Sequence, residues 1–335
     1  MIRIQDVIAE LENIAPPIYQ EGYDNAGLIV GDASAEVKGI ITCLDSTESV
    51  IQEAIDRGCN LVVAHHPIIF RGLKQLTGQN YIERTVIKAI KNDVAIYAIH
   101  TNLDNVLHRG VNQRIGQRLG LTHMRILAPK QVLQAARFSL PGPQVEAMTQ
   151  KLQAIGAQVI PTATSHNKES LQPMAVTFAI DRRSDVLRSL NLPENEVQVY
   201  DLNSRHPEIG SGLIGNLPEP LPESAFFDML KDRMQVSCIR HTALRQKDIS
   251  RVALCGGAGG FLLPAAMKAG AQIFITADYK YHEFFDADGR IIIADIGHFE
   301  SEQFTIHVLQ EVLSEKFTNF ATYSTAVVTN PVHYR

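Results

Sequence analysis

Five residues of metal-binding type stand at the ends of apolar runs: His65 and His66 close NLVVAHH, Asp104 lies in HTNLDN, and His298 and Glu302 fall in DIGHFESEQFTIHVLQEVL. Imidazole and carboxylate suit zinc, manganese, iron or cobalt, and histidine also moves protons near neutral pH. In an extended strand successive side chains point to opposite faces, so His65 and His66 serve one ion only if the strand twists or ends there. Two ions, one per histidine, remove the conflict; the competing assignment is one core histidine beside one surface histidine. His298 and Glu302, four positions apart, share one face of a helix, a spacing that solvated His/Glu pairs also show. Taken together, the five are too many for one catalytic zinc with three protein ligands and suit two ions sharing a carboxylate. Glu302 is the expected shared group, because each histidine serves a single ion, whereas Glu300 should face away from the site.

The elements around these residues read as α/β. VKGIITCLDST (37–47) is a strand, Ser46 or Thr47 can cap the helix TESVIQEAIDRG, and NLVVAHH is the next strand, a β-α-β run that implies a parallel sheet. A helix around 81–92 leads to DVAIYAIH (93–100), which places Asp104 just past a strand end, near His65 and His66. Ligands bind at the carboxyl ends of strands in open α/β sheets. Upstream, YDNAGLIVGD (23–32) is a turn-rich lead-in to a short strand, where Asp24 and Asn25 could reach a site but are expected first to serve the turn.

ISRVALCGGAGGFLLPAAMKAGAQIFITAD (249–278) repeats the layout of residues 37–66, and aligning Gly58 with Gly270 sets His66 opposite Asp278. Matching DVAIYAIHT (93–101) to RIIIADIGH (290–298) sets Thr101 opposite His298. Two related α/β lobes facing a metal site are therefore expected, the alternative being the generic likeness of any two β-α-β units. A final helix should bury Phe304, Val308 and Val312, spaced by four. Residues 128–206 break the pattern with strand, turn, helix and strand, twice over, and read as an inserted α+β domain between 1–127 and 207–335. It holds none of the five ligands, and its His166 and His206 read as surface residues.

The chain of 335 residues carries a formal charge of −5 with no basic run, which argues against nonspecific nucleic-acid or membrane-surface binding and favours a small-molecule partner. The start, MIRIQDVIAELENIAPP, lacks a basic leader, and no run approaches the roughly 18 apolar residues of a membrane span, so a cytoplasmic protein is expected. Cys43, Cys59, Cys238 and Cys255 form no C-x-x-C pair and read as reduced core residues. In CGGAGG (255–260) the N–H groups of Gly256, Gly257, Gly259 and Gly260 could cradle a phosphate, a tight turn being the alternative; the Gly-Lys-Ser/Thr of a P-loop is missing. His100, His282 and Tyr281 are candidates for proton transfer or ligand support, with His100 equally readable as a core histidine.

YDNAGLIVGD, AHHP, HTNLDN, CGGAGG and GHFESE, in this order, resemble the GTP cyclohydrolase 1 type 2 family, also described as NGG-interacting-factor-three-like proteins. The resemblance covers about residues 1–126 and 208–335. It implies a two-lobed α/β core, a dinuclear site whose ligand positions fall on His65, His66, Asp104, His298 and Glu302, and a toroidal homohexamer. Residues 128–205 look like a shortened form of the family's PII-like insert, and Ala277-Asp278 stands where similar chains often have Gly-Glu. The implied activity is divalent-metal-dependent hydrolysis of a nucleotide or phosphorylated substrate, GTP ring opening included. A metal-binding regulatory or adaptor protein without turnover fits the same residues.

Overall fold

The structure, a computed structural model, describes residues 1–160 and 170–335. His166 and most of the segment TATSHNKESLQ lie outside the described residues. Strand Gly39–Asp45 leads into helix Glu48–Asp56, whose first turn is capped by Thr47: its Oγ1 accepts the Val50 N–H at 3.3 Å. Gly58, with φ +68°, turns the chain into strand Leu61–His66, which runs parallel to the first with Asp45 beside His66. Helix Tyr81–Lys91 returns the chain to strand Ala95–Ala98, parallel to Leu61–His66. Gly27–Val30 pairs antiparallel on the outside of Ala95–Ala98.

The second half builds the same unit. Strand Ile249–Ala258, helix Leu263–Lys268, Gly270 at φ +76°, strand Ile273–Ala277 and strand Ile292–Asp295 follow in order, and the three strands are parallel neighbours. The short strand Arg240–His241 pairs antiparallel outside Ile292–Asp295, as Gly27–Val30 does in the first half. Gly58 and Gly270 thus do the same left-handed job, ending a helix, at the same point of each lobe.

Each sheet is completed by the other half of the chain. Ala321–Ser324 adds a parallel strand beside Gly39–Asp45, making five strands. Thr122–Pro129 takes the edge of the six-stranded sheet, next to Gly210–Leu221. Helix Thr305–Lys316 packs against the first sheet with Val308 and Val312 buried, and Phe304 is buried just ahead of it. Cys43, Cys59 and Cys255 are buried, but Cys238 is exposed, correcting the expectation of four core thiols: it lies in the connection between helix Glu223–Met234 and the edge strand Arg240–His241. Among the described residues no helix is long and apolar enough to cross a membrane.

Contacts divide the chain into two units, residues 1–128 with 210–335, and residues 129–209. The smaller one orders Leu133–Pro141, Val145–Ala154, Gln158–Ile160, Leu171–Ala179, Arg183–Leu190 and Gln198–Asp201 as β-α-β-β-α-β, with every strand pair antiparallel. That is the ferredoxin-like arrangement, with its own core around Phe138, Leu152, Val176 and Phe178. Its ends are tied together, since the Lys130 N–H donates to the Ile209 carbonyl at 2.9 Å. Replacing residues 131–208 by a short Gly/Ser link should therefore leave a cooperatively unfolding core that still binds zinc. Thermal unfolding and zinc titration of that variant check this; aggregation or loss of zinc would show that the larger unit depends on the smaller.

Candidate metal centre

The strand ends of the two lobes bring four imidazoles and two carboxylates together. His65 and His66 close Leu61–His66, His100 follows Ala95–Ala98, Asp104 ends the short helix Thr101–Asp104, and His298 and Glu302 begin and end helix His298–Glu302. Gly297, at φ +92°, makes the bend that starts this last helix at the site rather than beyond it.

Each imidazole is oriented by an oxygen at Nδ1. His65 faces the Ile99 carbonyl at 2.9 Å, His66 faces Asp45 at 2.8 Å, His100 faces Asp24 at 2.8 Å and His298 faces Asp278 at 2.7 Å. A carbonyl only accepts, so His65 Nδ1 carries a proton and its Nε2 is the nitrogen turned toward the carboxylates. On the inner side, His66 Nε2 lies 3.0 Å and His298 Nε2 3.2 Å from Glu302 Oε2, whereas His65 Nε2 lies 3.9 Å from Glu302 Oε1 and 3.6 Å from Asp104 Oδ1. The groups that could hold a metal ion are His65/Asp104/Glu302, His66/His298/Glu302 and His65/His66/His100.

The donor set fits a cation on a second ground. His65 Nε2 and Asp104 Oδ1 are buried with no hydrogen-bond partner. Leaving each so costs about 1–3 kcal/mol, a sizeable part of the 5–15 kcal/mol that holds a domain together. A metal ion satisfies both.

Charge in the site is tightly balanced. Burial alone would depress His66, yet hydrogen bonds to Asp45 and Glu302 and their negative charge push it up to about 10; His298 rises to about 9 against burial through Glu302 and Asp278. Burial favours the neutral form of Glu302, but His298, His65 and His66 hold it well below the usual carboxylate range. Asp104, by contrast, is raised to about 7 by burial and by the charge of Glu302. Both shifts favour the charged form of His66 and His298, and a cation bound among these groups would compete with that charge.

The sequence model of Duf34/NIF3 (NGG1p interacting factor 3) matches residues 2–331. The chain belongs to the Duf34/NIF3 family. It is 31% identical over 363 residues to a GTP cyclohydrolase 1 type 2 homolog of Halalkalibacterium halodurans, covering 98% of this chain and 96% of that one. A GTP cyclohydrolase 1 type 2 homolog of Staphylococcus epidermidis is 27% identical over the full length of both chains. The crystal structure of a Bacillus cereus protein related to NIF3 superimposes with a TM-score of 0.83 at 26% identity, over 100% of this chain and 99% of that one.

In this Duf34/NIF3 chain the glycine-rich stretch does a different job from the one expected. Gly256, Gly257 and Ala258 still belong to strand Ile249–Ala258, and the N–H groups of Gly256, Gly257 and Gly259 donate to Asn112 Oδ1, Ser301 Oγ and Thr276 Oγ1, each at 2.9 Å. They are not available to a phosphate. Their value is space: a Cβ on Gly257 would overlap Glu302 Oε1, and one on Gly256 would sit 2.9 Å from Val111 and 3.2 Å from Glu302 Cγ. Gly260 starts the short helix Gly260–Leu262 beyond the cavity, and His282, exposed on Tyr281–Ala287, does not line the site cavity either.

Asp24 is the second correction. Its carboxylate accepts from the Thr101 N–H at 3.0 Å, from the Thr101 hydroxyl and from His100, and these bonds hold it at about 2 despite burial, so it anchors the site wall rather than only its own turn. Asp45 and Thr329 were not singled out by sequence; the Thr329 hydroxyl donates to Asp45 at 2.7 Å and so steadies the partner of His66. A carboxylate at a strand end beside a histidine at the neighbouring strand end was the available signal for Asp45. Gly257→Ala should displace Glu302 and abolish tight zinc binding, while Gly260→Ala, whose nearest neighbours are 3.7 Å away, should keep it. Equal zinc affinity in the two variants would refute the spatial role of Gly257.

Proposed function

We propose that the protein is a divalent-metal-dependent hydrolase holding two ions per chain, one among His65, Asp104 and Glu302 and one among His66, His298 and Glu302. The observation that carries this reading is Glu302, which offers Oε1 to the first group and Oε2 to the second. Bound ions would lower the pKa of a water and polarise the substrate. The reaction suggested by the name of the relatives is opening of the imidazole ring of GTP. Water oxygen bonds to the ring carbon between the two nitrogens, one carbon–nitrogen bond breaks, and the freed nitrogen takes a proton, leaving a formamide.

The chain's own groups supply the rest. Asp24, kept ionised, accepts from His100 Nδ1, so His100 presents Nε2 as the base that takes the water's proton and returns it to the leaving nitrogen. Asp45 and Asp278 fix the rings of His66 and His298. A cavity of about 670 Å³ opens beside Glu302, His100 and Asp104, room for a small molecule and more than a purely structural ion pair needs.

Saturation should bring close to two zinc ions per chain. Glu302→Gln should weaken both sites by about 100-fold or more, His66→Ala mainly one, and Glu300→Gln neither, because Glu300 faces Asn330 at 2.9 Å instead of the histidines. Elemental analysis and zinc titration check this; Glu302→Gln losing one site while the other stays intact would break the shared-carboxylate assignment.

We also propose that the chain self-associates, as a toroidal homohexamer, and that it binds neither membrane nor nucleic acid. Tyr281 and Phe285, each more than 65% exposed, support a subunit contact, since large aromatic side chains are costly to leave in water. Light scattering should return about six chains, with Phe285→Asp shifting the mass downward; a monomer at micromolar concentration would refute it.

A further inference from the structure

The walls of the site cavity bear on what enters it. Four aromatic side chains stand at the cavity, Tyr23, Phe70, Tyr81 and Phe261, with exposures of 72%, 51%, 59% and 69%. Flat faces held open beside a reactive centre are stacking surfaces for heteroaromatic rings. Among the described residues that line the cavity there is no lysine and no arginine, and Glu21 and Asp45 add negative charge to that of Asp104 and Glu302. The wall carboxylates already equal in charge two divalent cations, before Asp24 and Asp278 behind the histidines are counted. Tyr23 registers this field: burial, then the charges of Glu21, Asp104 and Asp24, raise its hydroxyl above the ordinary value.

A phosphate group brings about −1.5 to −2 charges and needs N–H donors or cations. The N–H groups of Gly256 and Gly257 at the cavity wall are spent on Asn112 and Ser301. One N–H of the Asn112 amide is spent as well, on the Asp104 carbonyl at 3.0 Å.

We propose, resting on the hydrolase reading above, that the ligand of this cavity is a flat, uncharged heteroaromatic compound of nucleobase or nucleoside size, bound by aromatic stacking and without a phosphate group. The ring stacks between the aromatic walls and the atom to be attacked faces Glu302 and His100. Phosphates lower affinity here, because the four wall carboxylates already match the charge of two divalent cations and no lysine or arginine lines the cavity to offset more negative charge.

The test compares guanosine with GTP on zinc-loaded full-length protein, dialysed free of excess zinc, by titration calorimetry, with the product followed separately by chromatography. Guanosine should bind at least about tenfold more tightly than GTP. Tyr81→Ala and Phe70→Ala should each weaken guanosine by about tenfold with zinc content unchanged, and Tyr81→Lys should raise the affinity for GTP. GTP binding more tightly than guanosine, no binding of either compound, or aromatic variants equal to the parent would overturn the inference. Binding and turnover separate it from the underlying reading: guanosine bound but never converted sinks the hydrolase while this inference stands, and GTP bound tightly and converted does the reverse.

Discussion

The structure is arranged around one buried carboxylate. Glu302 is 3% exposed, and an ionised carboxylate taken out of water costs several kcal/mol unless opposite charge and hydrogen bonds compensate. Three imidazoles do so from two different lobes, and this requires the helix carrying Glu302 to lie almost against the strand of Gly256 and Gly257. Gly297 starts that helix at the one place where both His298 and Glu302 reach inward. Ser301, between them, holds the strand at the other side by accepting from the Gly257 N–H. Remove the glycines and the carboxylate has no room; remove the carboxylate and the histidines face one another, with His66 and His298 nitrogens 3.4 Å apart.

Around this centre the histidines are arranged by a repeated device. Every Nδ1 is bound to an oxygen, a carbonyl for His65 and a carboxylate for the other three, so every Nε2 points inward. The carboxylate partners also set the charge: they keep His66 and His298 protonated when no cation is present, and they strengthen the donor once it is. Asp104 is the one acid left without such support, and it is the one raised to about 7.

The parts legible in the sequence were those encoded locally. Apolar runs ending in His65-His66, in His100 and in Asp295 gave the strands; the i,i+4 spacing of His298 and Glu302 gave their common direction; Gly58 and Gly270 gave the lobe correspondence. What escaped depends on contacts set by register or by distant segments. Asp45 meets His66 because two parallel strands align there, and Thr329 reaches Asp45 from 284 positions away. The glycine stretch was read as an anion cradle because its composition allows one. Whether its N–H groups were free depended on Asn112, 144 positions off, and Ser301, 44 positions off. Asp24 was read as a turn residue for the same reason, its partners being 76 and 77 positions on.

The lobe correspondence also explains why the site cannot belong to either half alone. Where the first lobe has His66, the second has Asp278, so one strand end supplies a histidine to a group that could hold a metal ion and its counterpart supplies a carboxylate that orients His298. The halves are held in this relation by exchange of edge strands, Ala321–Ser324 joining the first sheet and Thr122–Pro129 the second. Separating the lobes would break both sheets before it opened the metal groups, and the exchange makes the geometry of the centre a property of the whole core. The six groups at the centre are therefore placed by contacts that run through both sheets, and the aromatic-walled cavity opens beside a donor set that neither lobe could assemble by itself.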